Sequence, residues 1–393
     1  MANTEKLTDG NSLFPDGEWF RRYHRFWRCN PIYLCYIPAF VFELLDAVSV
    51  SGVIRFLVFV VIVLGFTPGQ SQAQERKHIA SPYGERVFHT ENIRWFLTQL
   101  VSTHPTACRW ILHAGSSLYK HGDIYRAVRT QQVSAGEMFI AMLGNKHPVF
   151  KLDSLPFLVT DFAEAELLYK ASRPLMADIL AKDGLRFLYA VPWPPQGIYT
   201  HELVTSLADF NGLLLRAYSS TTSQLALTLN ATPVSVQAAE IPQAFATGMI
   251  NAMVTSPSTG VSSQAWDYVD VYTDAQVWIP KNMVFMHEQQ FQALSAKQQR
   301  RLLLAAEQAE QRGWRLAREE TVLKTRQLDQ EGMQVVKPGK QLISEFEAVG
   351  EQMIHFWKKE AATAPEALDV LSRYLALRAG HRTRQQMVGR VKS

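Results

Sequence analysis

The chain has 393 residues, of which 47% are hydrophobic and 19% charged, enough core material for two lobes and too polar throughout for a polytopic membrane protein. Its net charge of +4 gathers at the ends, in Arg21, Arg22, Arg25 and Arg28 and again in Arg378, Arg382, Arg384, Arg390 and Lys392. A nucleic-acid-binding face would need basic residues concentrated on one folded surface, so nucleic acid is excluded as a partner and the ends read as solvated.

Arg55 precedes an apolar run from Phe56 to Phe66, followed by Thr67-Pro68-Gly69 and Ser71-Gln72-Ala73. A basic residue, a short apolar stretch and small residues before a cut make a secretory signal over residues 50–73, cleaved after Ala73, with the mature chain starting near Gln74. The competing reading is a retained anchor, since Pro31 to Val53 is also apolar, but Glu43 and Asp46 interrupt that stretch. Residues 1–49 read as an extension from a misassigned start. Arg21-Arg22 is a weak twin-arginine match, because the apolar run does not follow it closely. Cys29 and Cys35 precede the cut, leaving Cys108 alone, so no internal disulfide or cysteine metal site is expected.

Beyond Gln74, helical and extended segments alternate, as in an α/β protein. Ile93, Phe96, Leu97 and Leu100 predict a helix over 90–102, and residues 110–113 a short strand. Asp123 is expected to cap a helix running to Arg129, and residues 149–158 to form a strand-like edge. Strands are expected over 185–191, 212–218 and 233–236, and helices over 221–229 and 241–247, the latter closed by Gly248. Ser295 and Gln298 form a capping-box pattern that opens a helix running to about Gln330 and ended by Gly332; at about 1.5 Å per residue it is long enough to cross both lobes. Leu342, Phe346, Val349, Met353 and Trp357 then mark one face of a further helix.

No G-x-S-x-G, H-E-x-x-H or Walker-type phosphate loop is present, and His89, His104, His113, His121, His147, His201, His287 and His355 are scattered without ligand spacing. An enzyme is disfavoured, and no cofactor or metal is expected.

Five blocks in order carry a resemblance. They are residues 115–118 (Gly-Ser-Ser-Leu), 124–129 (Ile-Tyr-Arg-Ala-Val-Arg), 154–158 (Ser-Leu-Pro-Phe-Leu), 208–216 (Ala-Asp-Phe-Asn-Gly-Leu-Leu-Leu-Arg) and 239–252, which begins Ala-Glu-Ile-Pro-Gln and ends Gly-Met-Ile-Asn-Ala. Over about Ser81 to Trp357 the chain resembles the DctP-type solute receptors of TRAP carboxylate transporters. The resemblance implies a two-lobed periplasmic-binding-protein-like α/β fold with a hinge and a long lobe-spanning C-terminal helix. Lobe 1 is expected from 74–197 plus 285–325, lobe 2 from 198–284 plus 326–380, and a basic tail from 381–393. The implied function is capture of a small organic acid in the periplasm and its delivery to the small and large TRAP membrane subunits; the alternatives are a receptor that presents its ligand to a sensor protein and, less favoured, a secreted enzyme.

The resemblance makes Arg216 the main ligand contact, through a planar guanidinium fork that matches a carboxylate. Trp278, Tyr218, Thr255, Asn282 and Trp193 are further candidates, with core packing the alternative for each aromatic. Glu240 either caps a helix or orients Arg216. Where many members carry Asp-Gly and then Glu-Asn, this chain has Asn251-Ala252 and Val254-Thr255, which favours a less polar acid, aromatic or branched. Gln131 stands where glycine is common, in a turn.

Overall fold

In a computed structural model, residues 76–101 and 109–392 are described. The expected signal segment, the extension before it and Cys108 lie outside them. Two sheets organise the rest. The first contains β1 (Arg76–Ala80), β2 (Arg109–His113), β3 (Ala135–Phe139), β4 (Leu185–Pro192) and a strand from far along the chain, β10 (Lys281–His287). The second contains β5 (Gly197–Thr200), β6 (Leu214–Ala217), β7 (Thr232–Ser235), β8 (Ala252–Thr255), β9 (Val271–Thr273) and β11 (Gln334–Val336). Their orders are β2-β1-β3-β10-β4 and β11-β9-β5-β8-β6-β7.

Each sheet is covered on both faces, so inner strands such as β8 and β10 are buried along their whole length. In β10, Met283 and Phe285 point into one core with the helix Phe162–Lys182, while Val284 and Met286 point into the opposite core with the helix Phe88–Val101. The second sheet divides two smaller cores in the same way.

The chain crosses between lobes on two short connectors, residues 193–196 and 274–280. They pair with each other: Trp193 N donates to Pro280 O at 2.8 Å, Gln196 N to Trp278 O at 3.0 Å, and Val277 N to Gln196 O at 2.9 Å. A third crossing is the helix Ala296–Gln330, opened by the Ser295–Gln298 capping box and about 50 Å long. It lies so close to β4 that a Cβ on Gly313 would stand 2.3 Å from a Val191 methyl, a contact only glycine permits. Gly332, at φ +100°, turns the chain into β11. The helix Lys340–Glu360 returns, with Leu342 and Phe346 in a second-lobe core and Trp357 in the first lobe.

Several expectations are corrected. Residues 149–158 do not form a strand edge; Pro148–Ser154 is a 3-10 helix, because Pro148 opens it and the His147 side chain accepts from Val149 N. Asp123 makes no capping hydrogen bond, since a 3-10 turn over His121–Asp123 already precedes the helix Ile124–Arg129; its carboxylate pairs with Arg126 at 3.0 Å instead. The expected lobe boundary at 284/285 cuts through β10, all of which pairs in the first sheet. Residues 361–380 pack with the first lobe and not the second: Ala361, Ala367, Val370 and Tyr374 join its core, and Tyr374 Oη donates to Leu158 O at 2.7 Å. The basic end is no free tail. It continues the helix Pro365–Lys392, where Arg378 donates to Leu158 O at 2.9 Å and Arg382 pairs with the buried Glu164 at 2.6 Å. Gln131 does sit in a turn, with φ +59°. No helix among the described residues is long and apolar enough to cross a membrane.

Candidate functional site

β6 lies between β7 and β8, both parallel to it, so its backbone cannot move without breaking two ladders. Arg216, near its end, is 4% exposed. Its Nε donates to Val236 O at 3.0 Å, and its guanidinium lies 4.6 Å from the centre of the Tyr218 ring. Among the described residues no carboxylate stands within ion-pair distance of it. Burial pulls its pKa below the ordinary arginine value, yet arginine keeps its charge. The strand therefore holds a buried cation whose terminal nitrogens have no anionic partner.

Arg216 faces a cavity of about 400 Å³, counting the part open to solvent, at the junction of the lobes. From the first lobe come Tyr83, His121 and Phe139; from the connectors, Trp193, Gln196 and Pro280; from the second lobe, Tyr218, Gln237, Thr255 and Thr259. Tyr218 Oη donates to Gln196 Oε1 at 3.4 Å, and its ring meets Phe139 edge-on at 5.4 Å. Gln196 is fixed in turn by donating to Pro194 O at 2.7 Å. Burial and, secondarily, Arg216 lower the His121 pKa to about 4, against a hydrogen bond with Gln237 that favours the charged form. The imidazole is neutral at physiological pH and accepts from Phe139 N at 3.0 Å. Arg216 is thus the sole charged group among the described residues of the wall, and the cavity is cationic and aromatic-walled, a chemistry that suits a small anion.

Four of the seven expected residues, Arg216, Tyr218, Thr255 and Trp193, line this cavity. Asn282 stands behind the wall, accepting from Trp193 Nε1 at 2.9 Å and from Tyr83 Oη at 3.3 Å while donating to Glu137 at 2.9 Å. Trp278 is 1% exposed and packs in a second-lobe core, with its indole beside the Tyr218 hydroxyl. Glu240 is a capping residue: it is exposed and accepts from Gln237 N at 2.8 Å, closing the turn that presents Gln237 and Ala238. Asn251 also points elsewhere, accepting from Leu214 N at 2.8 Å. Tyr83, His121, Phe139, Gln196 and Gln237 were not legible, since each is a lone residue brought in by a different part of the fold; the Pro194-Pro195-Gln196-Gly197 run was the one available signal, marking a rigid connector.

Among the described residues no group of three His, Cys, Asp or Glu side chains could hold a metal.

Residues 108–360 match the family described as "Bacterial extracellular solute-binding protein, family 7", DctP. No curated protein sequence gives a significant match. Among solved structures, the chain is similar to two Bordetella pertussis extracytoplasmic solute receptors that bind pyroglutamic acid. DctP7 is 41% identical with a TM-score of 0.74, over 76% of this chain and 99% of that one. DctP6 is 35% identical with a TM-score of 0.75, over 77% and 99%. A marine-metagenome TRAP solute-binding protein specific for pyroglutamate is 31% identical with a TM-score of 0.74, again over 77% and 99%. The family is one of solute receptors and not of enzymes, and on the strength of both the sequence match and these full-length similarities the chain belongs to the DctP family, family 7 of the bacterial extracellular solute-binding proteins.

Proposed function

We propose that this protein is the periplasmic receptor of a TRAP uptake system and that its ligand is a small cyclic carboxylate of the pyroglutamate type. The observation that carries the reading is Arg216, a buried guanidinium with no anionic partner among the described residues, facing a small cavity walled by aromatic rings and amides. The ligand's carboxylate takes the free nitrogens of the fork, where two parallel charge-assisted bonds are stronger than neutral ones. Its ring fits between Trp193, Tyr218 and Phe139. The three relatives described as binding pyroglutamate support a lactam acid over the aromatic acids that the Ala252 and Val254 substitutions bring to mind.

The signal segment directs export and is removed by cleavage after Ala73. Ligand joins the lobes, the paired connectors bend, and the closed form is handed to the two membrane subunits.

The test is a thermal-shift screen of the chain from Gln74 onward, which folds as one compact unit, against pyroglutamate, malonate, succinate, a sugar acid and phenylacetate. At 100 times its dissociation constant a ligand adds about 2.7 kcal/mol to the folded state. The expected result is a raised midpoint with pyroglutamate that is lost in Arg216→Ala. No shift with pyroglutamate, or an equal shift in the variant, refutes the assignment.

A further inference from the structure

Behind the cavity wall lies a buried polar chain with a fixed direction. Trp193 Nε1 can only donate, so the Asn282 atom it meets at 2.9 Å is the amide oxygen. The amide nitrogen is then the atom that meets Glu137 Oε1 at 2.9 Å, and a carboxylate oxygen accepts it. Two one-way partners, one at each end, fix the Asn282 amide, which alone could turn over without cost. Tyr83 Oη lies 3.3 Å from the same amide oxygen. An amide oxygen only accepts, so the hydrogen bond between them runs from Tyr83 to Asn282.

Glu137 is what makes this direction compulsory. It is 1% exposed, and among the described residues the one basic group within ion-pair distance is His89 Nδ1, at 3.4 Å. Burial keeps His89 neutral. Burial also pushes the Glu137 carboxyl up to about 7, against hydrogen bonds from Ser81 and Asn282. Charged or neutral, it keeps an acceptor toward Asn282, because its proton can sit on Oε2, where the Ser81 hydroxyl lies 2.6 Å away and can turn to accept it. A buried carboxylate without a cation costs stability, and its effect here is directional.

We infer that the chain Glu137–Asn282–Tyr83 makes Tyr83 a hydrogen-bond acceptor toward the cavity, so that the receptor selects ligands carrying an N–H or O–H next to the ring and rejects isosteres without one. The Tyr83 ring lines the cavity together with Arg216 and Tyr218, and its hydroxyl interacts electrostatically with both. With the proton given to Asn282, the phenol offers the ligand its lone pairs. Trp193 is used up in the same way, its N–H spent on Asn282. Glu137 and Asn282 do not touch the cavity and act as positioning residues. The inference rests on the lactam-acid reading and adds the group that distinguishes a lactam from its oxygen counterpart. A site built to pair a ligand N–H strongly disfavours an analogue that places a lone pair there.

The experiment is calorimetric titration with pyroglutamate and with its γ-lactone counterpart, in which a ring oxygen replaces the N–H, using wild type, Tyr83→Phe and Asn282→Leu. Wild type is expected to prefer the lactam by about tenfold or more. Tyr83→Phe should bind the lactone as well as wild type does and lose most of that preference. Asn282→Leu, which frees the Tyr83 proton to point into the cavity, should lose it too with the ring still present. Should Asn282→Leu fail to fold, Tyr83→Phe decides alone. An undiminished preference in Tyr83→Phe, or equal weakening of both acids, overturns this inference and leaves the lactam-acid reading standing. Failure of wild type to bind either acid overturns both.

Discussion

The Nε of Arg216 donates to the carbonyl oxygen of Val236, 20 residues ahead and just past the end of the neighbouring strand β7, at 3.0 Å. One edge of the guanidinium is thereby used to lock its plane, and the other is left for an anion. A lysine at this position keeps the charge but has neither the locking bond nor the fork. Arg216→Lys is expected to weaken pyroglutamate binding by about 30-fold or more while moving the ligand-free melting midpoint by only a few degrees; titration calorimetry and a melting curve check the two halves.

Glu137 gives a second expectation, with a definite sign. Its pKa is raised from 4.5 to about 7, so between those pH values the folded chain binds more protons than the unfolded one, and this group lowers stability as pH rises. Glu137→Gln keeps a hydrogen-bonding shape without the charge. The variant should melt higher than wild type at pH 8, by no more than about 3 kcal/mol in stability, with the gain shrinking as the pH approaches 4.5. A variant less stable than wild type at pH 8 contradicts this account.

His121 works in the opposite direction. Its pKa is lowered from 6.5 to about 4, so the unfolded chain binds the extra proton first and stability falls as pH drops through that window. His121→Asn should flatten the acid side of the stability curve between about pH 6.5 and 4. Melting curves across that range, wild type against variant, measure it.

Lys281 and Asp153 form a buried pair, 2% and 8% exposed, at 3.4 Å, just after the Ile279-Pro280 connector. Removing one partner leaves the other charge buried and unpaired, so Lys281→Met and Asp153→Leu should each cost about 3–5 kcal/mol. The double variant should recover much of that loss. A double-mutant cycle by urea unfolding reads the coupling, and purely additive losses would count against a pair that matters.

Two helical glycines make a paired prediction. A Cβ on Gly350 would stand 2.5 Å from the Pro156 carbonyl oxygen, whereas one on Gly380 meets nothing within 4 Å. Gly350→Ala is expected to destabilise by about 1–3 kcal/mol through overpacking, and Gly380→Ala to stabilise by up to about 1 kcal/mol through helix propensity. Chemical denaturation of both variants checks the contrast.

Local signals carried much of the fold. The capping box at Ser295, the glycine stop at Gly332 and the five-residue apolar face from Leu342 to Trp357 each depend on near neighbours in sequence, and each is found where expected. What depends on distant partners was harder to read. β8 and β10 are buried on both faces and show no alternation, and the helix Phe162–Lys182 carries Pro174 inside it. The lobe assignment of residues 361–380 rests on Tyr374 reaching Leu158 across 216 positions of chain, which no periodicity reveals. In the site, Arg216 was legible because a strand and a family motif frame it. Glu240, in a later block, and Trp278, outside all five blocks, face a turn and a core instead. Glu137 gave no signal, because a lone carboxylate in an apolar strand shows its meaning only once Asn282 lies beside it.

Trp193, Gln196 and Pro280 belong at once to the cavity wall and to the two connectors that join the lobes. With the lobes closing about these connectors as proposed, changing the wall there also changes the resting angle of the jaws and the work of shutting them, so ligand choice and closing energy are expected to stay coupled at these three positions. At Thr255 and Thr259, which belong to the second lobe and to neither connector, they can drift apart. New specificities within this architecture should therefore arise first at the two threonines, with the connectors altered only when the whole opening cycle is retuned.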